Sequence, residues 1–127
     1  MIHPVATRTC TFLLDPRGFV RATMHQGVEM DLDDARDALR TTTQVSGGQR
    51  VPVLVDSRRL KSQSREARQE FASDEAVRVC SAVALLVDSP VSRIIANFFL
   101  RQQVQRTPTR LFTDETAAVE WLLGQPR

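Results

Sequence analysis

The chain has 127 residues, of which 42% are hydrophobic and 25% charged, and its formal net charge is +2. A chain of this length can bury a hydrophobic core without metal or disulfide staples, and the composition is that of an ordinary globular domain. The near balance of charge argues against a protein that coats nucleic acid by bulk attraction, and no apolar run approaches the ~20 residues of a membrane-spanning helix.

The N-terminal stretch through Arg8 lacks the apolar core of a secretory leader, so a cytoplasmic location is expected. From Val5 to Leu14 threonine and β-branched residues dominate, which predicts one strand. Asp15-Pro16-Arg17-Gly18 has proline and glycine where a tight turn uses them. Phe19 to Met24 then predicts a second strand, paired with the first as an antiparallel hairpin. His25 to Glu29 reads as a loop. Asp31 suits a helix N-cap, with Asp33 and Asp34 favourable in the first turn. Leu32, Ala35, Leu39 and Thr42 follow at helical spacing. Ser46-Gly47-Gly48 ends that helix.

Val51 to Asp56 is a short continuous apolar run ending in aspartate, the pattern of a strand covered on both faces, with Pro52 confined to its start. A polar loop from Ser57 to Ser62 leads to a helix through Arg65–Phe71, and a further short turn of helix covers Asp74–Val77. Ala82 to Asp88 predicts the second buried strand. Ser89-Pro90 reads as an N-cap and first helical residue, followed by a stripe of Val91, Ile94, Ile95 and Phe98 that Phe99 and Leu100 widen. Thr109–Phe112 predicts a last short strand. Thr113-Asp114-Glu115 opens a final helix carrying Ala117, Ala118, Trp121 and Leu122. Cys10 and Cys80 each read as lying inside a strand, in a chain without a secretory signal, which predicts buried thiols rather than a disulfide.

The order β-β-α-β-α-β-α-β-α predicts one α/β domain over residues 1–127, with its core at about 5–124. The expected sheet is mixed and five-stranded: an N-terminal antiparallel hairpin, then parallel β-α units, with helices mainly on one face. Pro52-Val53-Leu54-Val55-Asp56, Ser64-Arg65-Glu66-Ala67-Arg68, Val83-Ala84-Leu85-Leu86-Val87, Asn97-Phe98-Phe99 and Leu111-Phe112-Thr113-Asp114 with Trp121-Leu122 carry a resemblance. On these residues the chain resembles the STAS domain, the fold of sulphate-transporter regulatory tails and anti-sigma-factor antagonists. It is most similar to bacterial SpoIIAA-like proteins of unassigned function. Antagonist STAS domains share an Asp-Ser-Ser-Gly-type segment whose serine is phosphorylated by a partner kinase. Here the matching stretch is Asp56-Ser57-Arg58-Arg59-Leu60-Lys61-Ser62-Gln63-Ser64, which lacks Ser-Ser-Gly but offers Ser57, Ser62 and Ser64 as phosphate acceptors.

Ligands of open α/β sheets favour the carboxyl ends of the strands. Asp56, Asp88 and Asp114 all belong there. They suit a metal or acid-base chemistry on one reading and plain helix capping on the other. Arg58, Arg59, Lys61, Arg65 and Arg68 make the segment after Asp56 basic, fit either for an anionic ligand or acidic partner, or simply for solvent. Ser64 and Ser62 each suit a helix cap as well as a phosphate. Ile94, Ile95, Phe98 and Phe99 suit either a homodimer face or a buried helix.

No zinc spacing, nucleophile elbow, phosphate loop or dinucleotide fingerprint is present. No catalytic residue, metal or cofactor is therefore assigned. The scarcity of aromatics disfavours a stacking platform for nucleic acid. The reading is a non-enzymatic regulatory or protein-interaction module, docking a ligand or partner through Asp56, Arg58, Arg59, Lys61, Ser64, Arg65 and Asp88, and self-associating as a homodimer through Ile94, Ile95, Phe98 and Phe99. The first alternative is a small-molecule or lipid carrier, which needs a cavity lined by residues such as Phe71, Phe98 and Phe99. The second is an enzyme built on Asp56, Asp88 and an arginine.

Overall fold

The structure, a computed structural model, describes residues 3–88 and 106–126. Strands β1 (Val5–Ala6), β2 (Cys10–Leu14), β3 (Val20–Met24) and β4 (Glu29–Met30) precede helix α1 (Leu32–Val45). Strand β5 (Val51–Asp56), the short β6 (Ser62–Gln63) and helices α2 (Arg65–Phe71) and α3 (Asp74–Val79) follow. Strands β7 (Cys80–Leu86) and β8 (Thr109–Phe112) and helix α4 (Glu115–Leu123) complete the described elements. The expected stripe at Ile94, Ile95, Phe98 and Phe99 lies outside the described residues.

The main sheet has six strands in the order β1-β2-β3-β5-β7-β8, not the five expected. The extra strand comes from the run read as one element, Val5 to Leu14. Thr7 N donates to Cys10 O at 2.8 Å and Cys10 N donates to Thr7 Oγ1 at 3.1 Å, so the chain reverses there. Val5 then pairs antiparallel with Phe12. Threonine favours strands yet also closes turns through its hydroxyl, so its presence could not mark the reversal. The β2–β3 hairpin follows expectation. Gly18 N donates to Asp15 O at 2.9 Å, and Gly18 takes a φ of 101°, which only glycine adopts without strain.

Strands β3, β5, β7 and β8 run parallel, with Val53 in register with Val20 on one side and Val83 on the other. Strand β5 is interior, and its alternation divides the core. Val51 and Val53 join Phe12, Val20, Ala38 and Leu85 on the face covered by α1, while Leu54 joins Phe19, Ala84, Leu86, Val119 and Leu122 under α4. Helices α2 and α3 pack beside α1 through Phe71, Leu39, Ala76 and Val79. Most described helices thus share one face, and α4 covers the other.

Helix α1 begins with a reciprocal cap. Asp34 N donates to Asp31 Oδ1 at 3.0 Å and Asp31 N donates to Asp34 Oδ2 at 2.9 Å. Asp34, expected only as a favourable charge, is 5% exposed and also takes Arg8 Nε at 3.0 Å on Oδ1. Asp114 and Ser64 cap α4 and α2, accepting from Ala117 N at 2.9 Å and Ala67 N at 3.1 Å.

Leu54 is fully buried between two parallel neighbours and α4. Leu54→Ala is expected to lower stability by about 2–5 kcal/mol, seen as a lower urea midpoint at unchanged slope.

Candidate functional site

The carboxyl ends of the parallel strands hold a small ionic network. Asp56 closes β5, and Arg58 folds back over it: Nε donates to Oδ1 at 2.9 Å and Nη2 to Oδ2 at 2.8 Å, while Arg58 N donates to Oδ1 at 3.2 Å. This is a two-pronged grip on one carboxylate. Glu115, at the start of α4, lies 3.9 Å from Arg58 and accepts from Arg21 Nη1 at 2.9 Å. Burial pushes the Asp56 carboxyl up, but the bonds from Arg58 outweigh it and hold the group below the usual aspartate range. The bond to Asp56 likewise raises the Arg58 guanidinium above its ordinary value.

The three aspartates expected at this edge do not form one site. Asp56 is held by Arg58, Asp114 is spent on the α4 cap, and Asp88 is exposed. Among the described residues no three carboxylate, histidine or cysteine groups are placed to hold a metal ion. Asp88 also acts on the Arg58 guanidinium that Asp56 holds, so both carboxylates lie within electrostatic reach of one arginine.

The segment after Asp56 is more ordered than a polar loop. Ser57 is buried, its Oγ donating to Leu86 O at 2.8 Å, and Leu60 is buried in the core beside it. Residues 59–64 run alongside residues 27–30. Gly27 N donates to Arg59 O at 2.9 Å, Lys61 N to Val28 O at 3.0 Å and Ser64 N to Met30 O at 2.8 Å, and β4 and β6 pair in parallel within this stretch. Neither short strand was apparent from residue pattern, because two-residue strands have no periodicity to read.

This ladder fixes what the segment presents. Arg59 and Lys61 are exposed on either side of buried Leu60, and Arg65 is exposed at the start of α2. Lys61 reaches Glu29 only at 3.9 Å, between two exposed groups, a contact of little energetic weight. Arg68 turns inward and donates to Gln63 O at 2.6 Å. Of the serines considered for phosphorylation, Ser57 is buried against Leu86 O and Ser64 is engaged as the α2 cap, while Ser62 is partly exposed in β6.

A cavity of about 70 Å³ lies between the sheet and α1–α3, walled by residues such as Phe12, Leu39, Val53, Phe71 and Leu85. Phe71 is where the carrier alternative placed it; Phe98 and Phe99 lie outside the described residues. Two further lining groups, Gln63 and Thr107, did not emerge from sequence reasoning. Cys10 and Cys80 also line the cavity and are free thiols. Burial pushes the Cys10 thiol up to about 11 and the Cys80 thiol up to about 12. Neither is therefore a thiolate nucleophile near neutral pH.

The comparisons with known proteins bear on the family and the fold. Residues 12–125 match the model of the domain of unknown function DUF7793. The chain belongs to that family. A crystal structure from Shewanella loihica PV-4, described as an uncharacterised DUF3478-family protein with a SpoIIAA-like fold, superposes with a TM-score of 0.60 at 13% identity. The match covers 96% of this chain and 92% of that one, and it establishes the SpoIIAA-like fold. A protein of unknown function from Arthrobacter sp. FB24 is 34% identical over 93% of this chain and 95% of its own, with a TM-score of 0.36. No curated protein matches the chain. Among the described residues no helix is long and apolar enough to cross a membrane.

Two outcomes follow from these environments. In the native protein at pH 8, a thiol reagent such as Ellman's should titrate neither cysteine on mixing, and both after denaturation. The second concerns acid. Burial raises the Asp34 carboxyl most, but the bonds from Arg8 and Asp31 together outweigh it, so it too sits below its ordinary range in the folded protein. Carboxyls depressed by folding stabilise the protein above their unfolded values, and that contribution is lost as pH falls through the folded ones. Urea midpoints should therefore fall on acidification below about pH 4. They should fall less steeply in Asp34→Asn with Asp56→Asn.

Proposed function

We propose that this protein is a non-enzymatic regulatory module that docks an acidic protein surface through the segment joining β5 to α2. One observation carries the reading: Arg59 and Arg65 are exposed and make no side-chain bond among the described residues, on a backbone that the β4–β6 ladder holds in place. Arg58 and Arg8, by contrast, are held against carboxylates. Cations held out on an ordered segment cost little to desolvate against an acidic partner, and they steer its approach.

The neighbouring carboxylates support the same reading. Asp56 is neutralised by Arg58, and Glu115 by Arg21, so the strand-end surface is not self-repelling towards an acidic partner. The paired state of Asp56 also weighs against acid-base catalysis, which needs a carboxylate free to exchange a proton near its working pH. A cytoplasmic setting and association with a second copy of the chain remain part of the proposal on the strength of the sequence.

The test is co-purification from the native cell using wild type and the triple variant Arg59→Glu, Lys61→Glu, Arg65→Glu. Partners retained by wild type at low salt should be lost by the variant, and wild-type retention should decline as salt rises. A variant that keeps the same partners would refute docking through this segment. Circular dichroism should show the variant folded, since all three side chains are exposed.

A further inference from the structure

The cavity between the sheet and α1–α3 has a composition that selects among ligands. Its described lining contains no charged side chain. Against these described residues a carboxylate or ammonium would meet no counter-charge, at a cost of several kcal/mol or more. The described lining therefore favours a neutral occupant. Hydrocarbon walls from β2, β3, β5 and β7 fit an apolar body.

The polar groups on the wall divide into two kinds. Three hydroxyls are spent inside the protein: Thr42 Oγ1 donates to Ala38 O at 2.8 Å, Ser57 Oγ to Leu86 O at 2.8 Å and Thr109 Oγ1 to Thr107 O at 2.9 Å. Two groups are not. Gln63 Oε1 and Thr107 Oγ1 are buried without a hydrogen-bond partner among the described residues, in residues only 5% and 2% exposed. The amide nitrogen of Gln63 meets only the Met30 sulfur at 3.8 Å, a weak acceptor. Turning the amide over merely exchanges an unpaired acceptor for an unpaired donor. Each such group costs about 1–3 kcal/mol relative to a satisfied one. Two of them on the wall of one cavity offer hydrogen bonds to whatever occupies it, an ordered water or a ligand.

We infer that this cavity is a binding site for a small neutral molecule with an apolar body and a hydroxyl or amide group, which pairs with Gln63 or Thr107. Gln63 follows the carboxyl end of β5, and Thr107 precedes the amino end of β8. The cavity is thus bordered by a polar group at each end of the parallel strands, and a ligand with one hydrogen-bonding group engages one end. At about 70 Å³ the space exceeds what a single water needs, ~10–15 Å³, and falls below the ~150 Å³ of an engineered cavity that binds benzene. The site therefore suits compact molecules of a few heavy atoms. The inference is independent of the docking segment, whose exposed cations face solvent and do not line the cavity.

The experiment uses the full chain, with methyl resonances of Ala22, Met24, Ala38, Ala76 and Leu85 followed by NMR as ethanol, a molecule of three heavy atoms, is added at neutral pH. Acetate, of similar size but charged, serves as the comparison, and xenon as the purely apolar probe. Saturable ethanol shifts confined to these methyls, without a matching response to acetate, are expected. Thr107→Val and Gln63→Met each remove one orphan group at similar volume. At least one of them should weaken ethanol binding by ~5-fold, the worth of one net hydrogen bond. Acetate binding as well as ethanol, xenon entering while ethanol does not, or both variants binding ethanol like wild type would each overturn the inference. Should either variant fail to fold, the other decides the polar contact; if both fail, the contrast between ethanol and acetate on wild type decides.

Discussion

The structure depends on one strand being dry on both faces. β5 has parallel neighbours on each side and a hydrophobic layer above and below, so its residues must satisfy two cores at once. Val51 and Val53 serve one layer and Leu54 the other, and only an unbroken apolar run can do this. Because β5 is interior, its carboxyl end opens at the middle of the sheet edge. That is where Asp56 must leave the core, and where the chain needs a cation at once. Arg58, two residues on, supplies it before any long-range partner is required.

The layer beneath α4 illustrates how little freedom remains around that strand. Phe19 and Leu54 are fully buried there with Leu86, and the other β7 residues of this layer are the alanines Ala82 and Ala84. Small side chains on one strand let α4 approach closely, so bulk and absence of bulk alternate across the sheet. Arg21 lies on this same face, near the helix start, with its charge met by Glu115 and its guanidinium 5.9 Å from the Phe19 ring.

Strands β5 and β7, the caps of α1, α2 and α4, and the β2–β3 turn were all legible in the residues, because each has a local cause: a continuous apolar run, a side chain that accepts from the third residue on, or a glycine at positive φ. The reversal at Thr7–Thr9 was not, since threonine serves strand and turn alike. The ladder between residues 27–30 and 59–64 was not either, because it consists of main-chain bonds to which side chains contribute no pattern. The same division runs through the site. The basic run after Asp56 could be read directly, but its sorting into Arg58 turned onto Asp56, Arg68 turned onto a carbonyl, and Arg59 and Arg65 left outward depends on tertiary placement. The salt bridge of Arg21 with Glu115 spans 94 positions, and the orphan oxygens of Gln63 and Thr107 are defined by what fails to reach them.

The ladder of β4 and β6 has a consequence for how such a chain can vary. Surface connections ordinarily gain and lose residues independently of one another. Here the turn before α1 and the connection before α2 are zipped together by Gly27, Val28 and Met30 on one side and Arg59, Lys61 and Ser64 on the other, with Leu60 plugged into the interior. A residue inserted in one would throw every later bond out of step with the other. The two should therefore keep constant length together among related chains, even where their outward side chains differ freely.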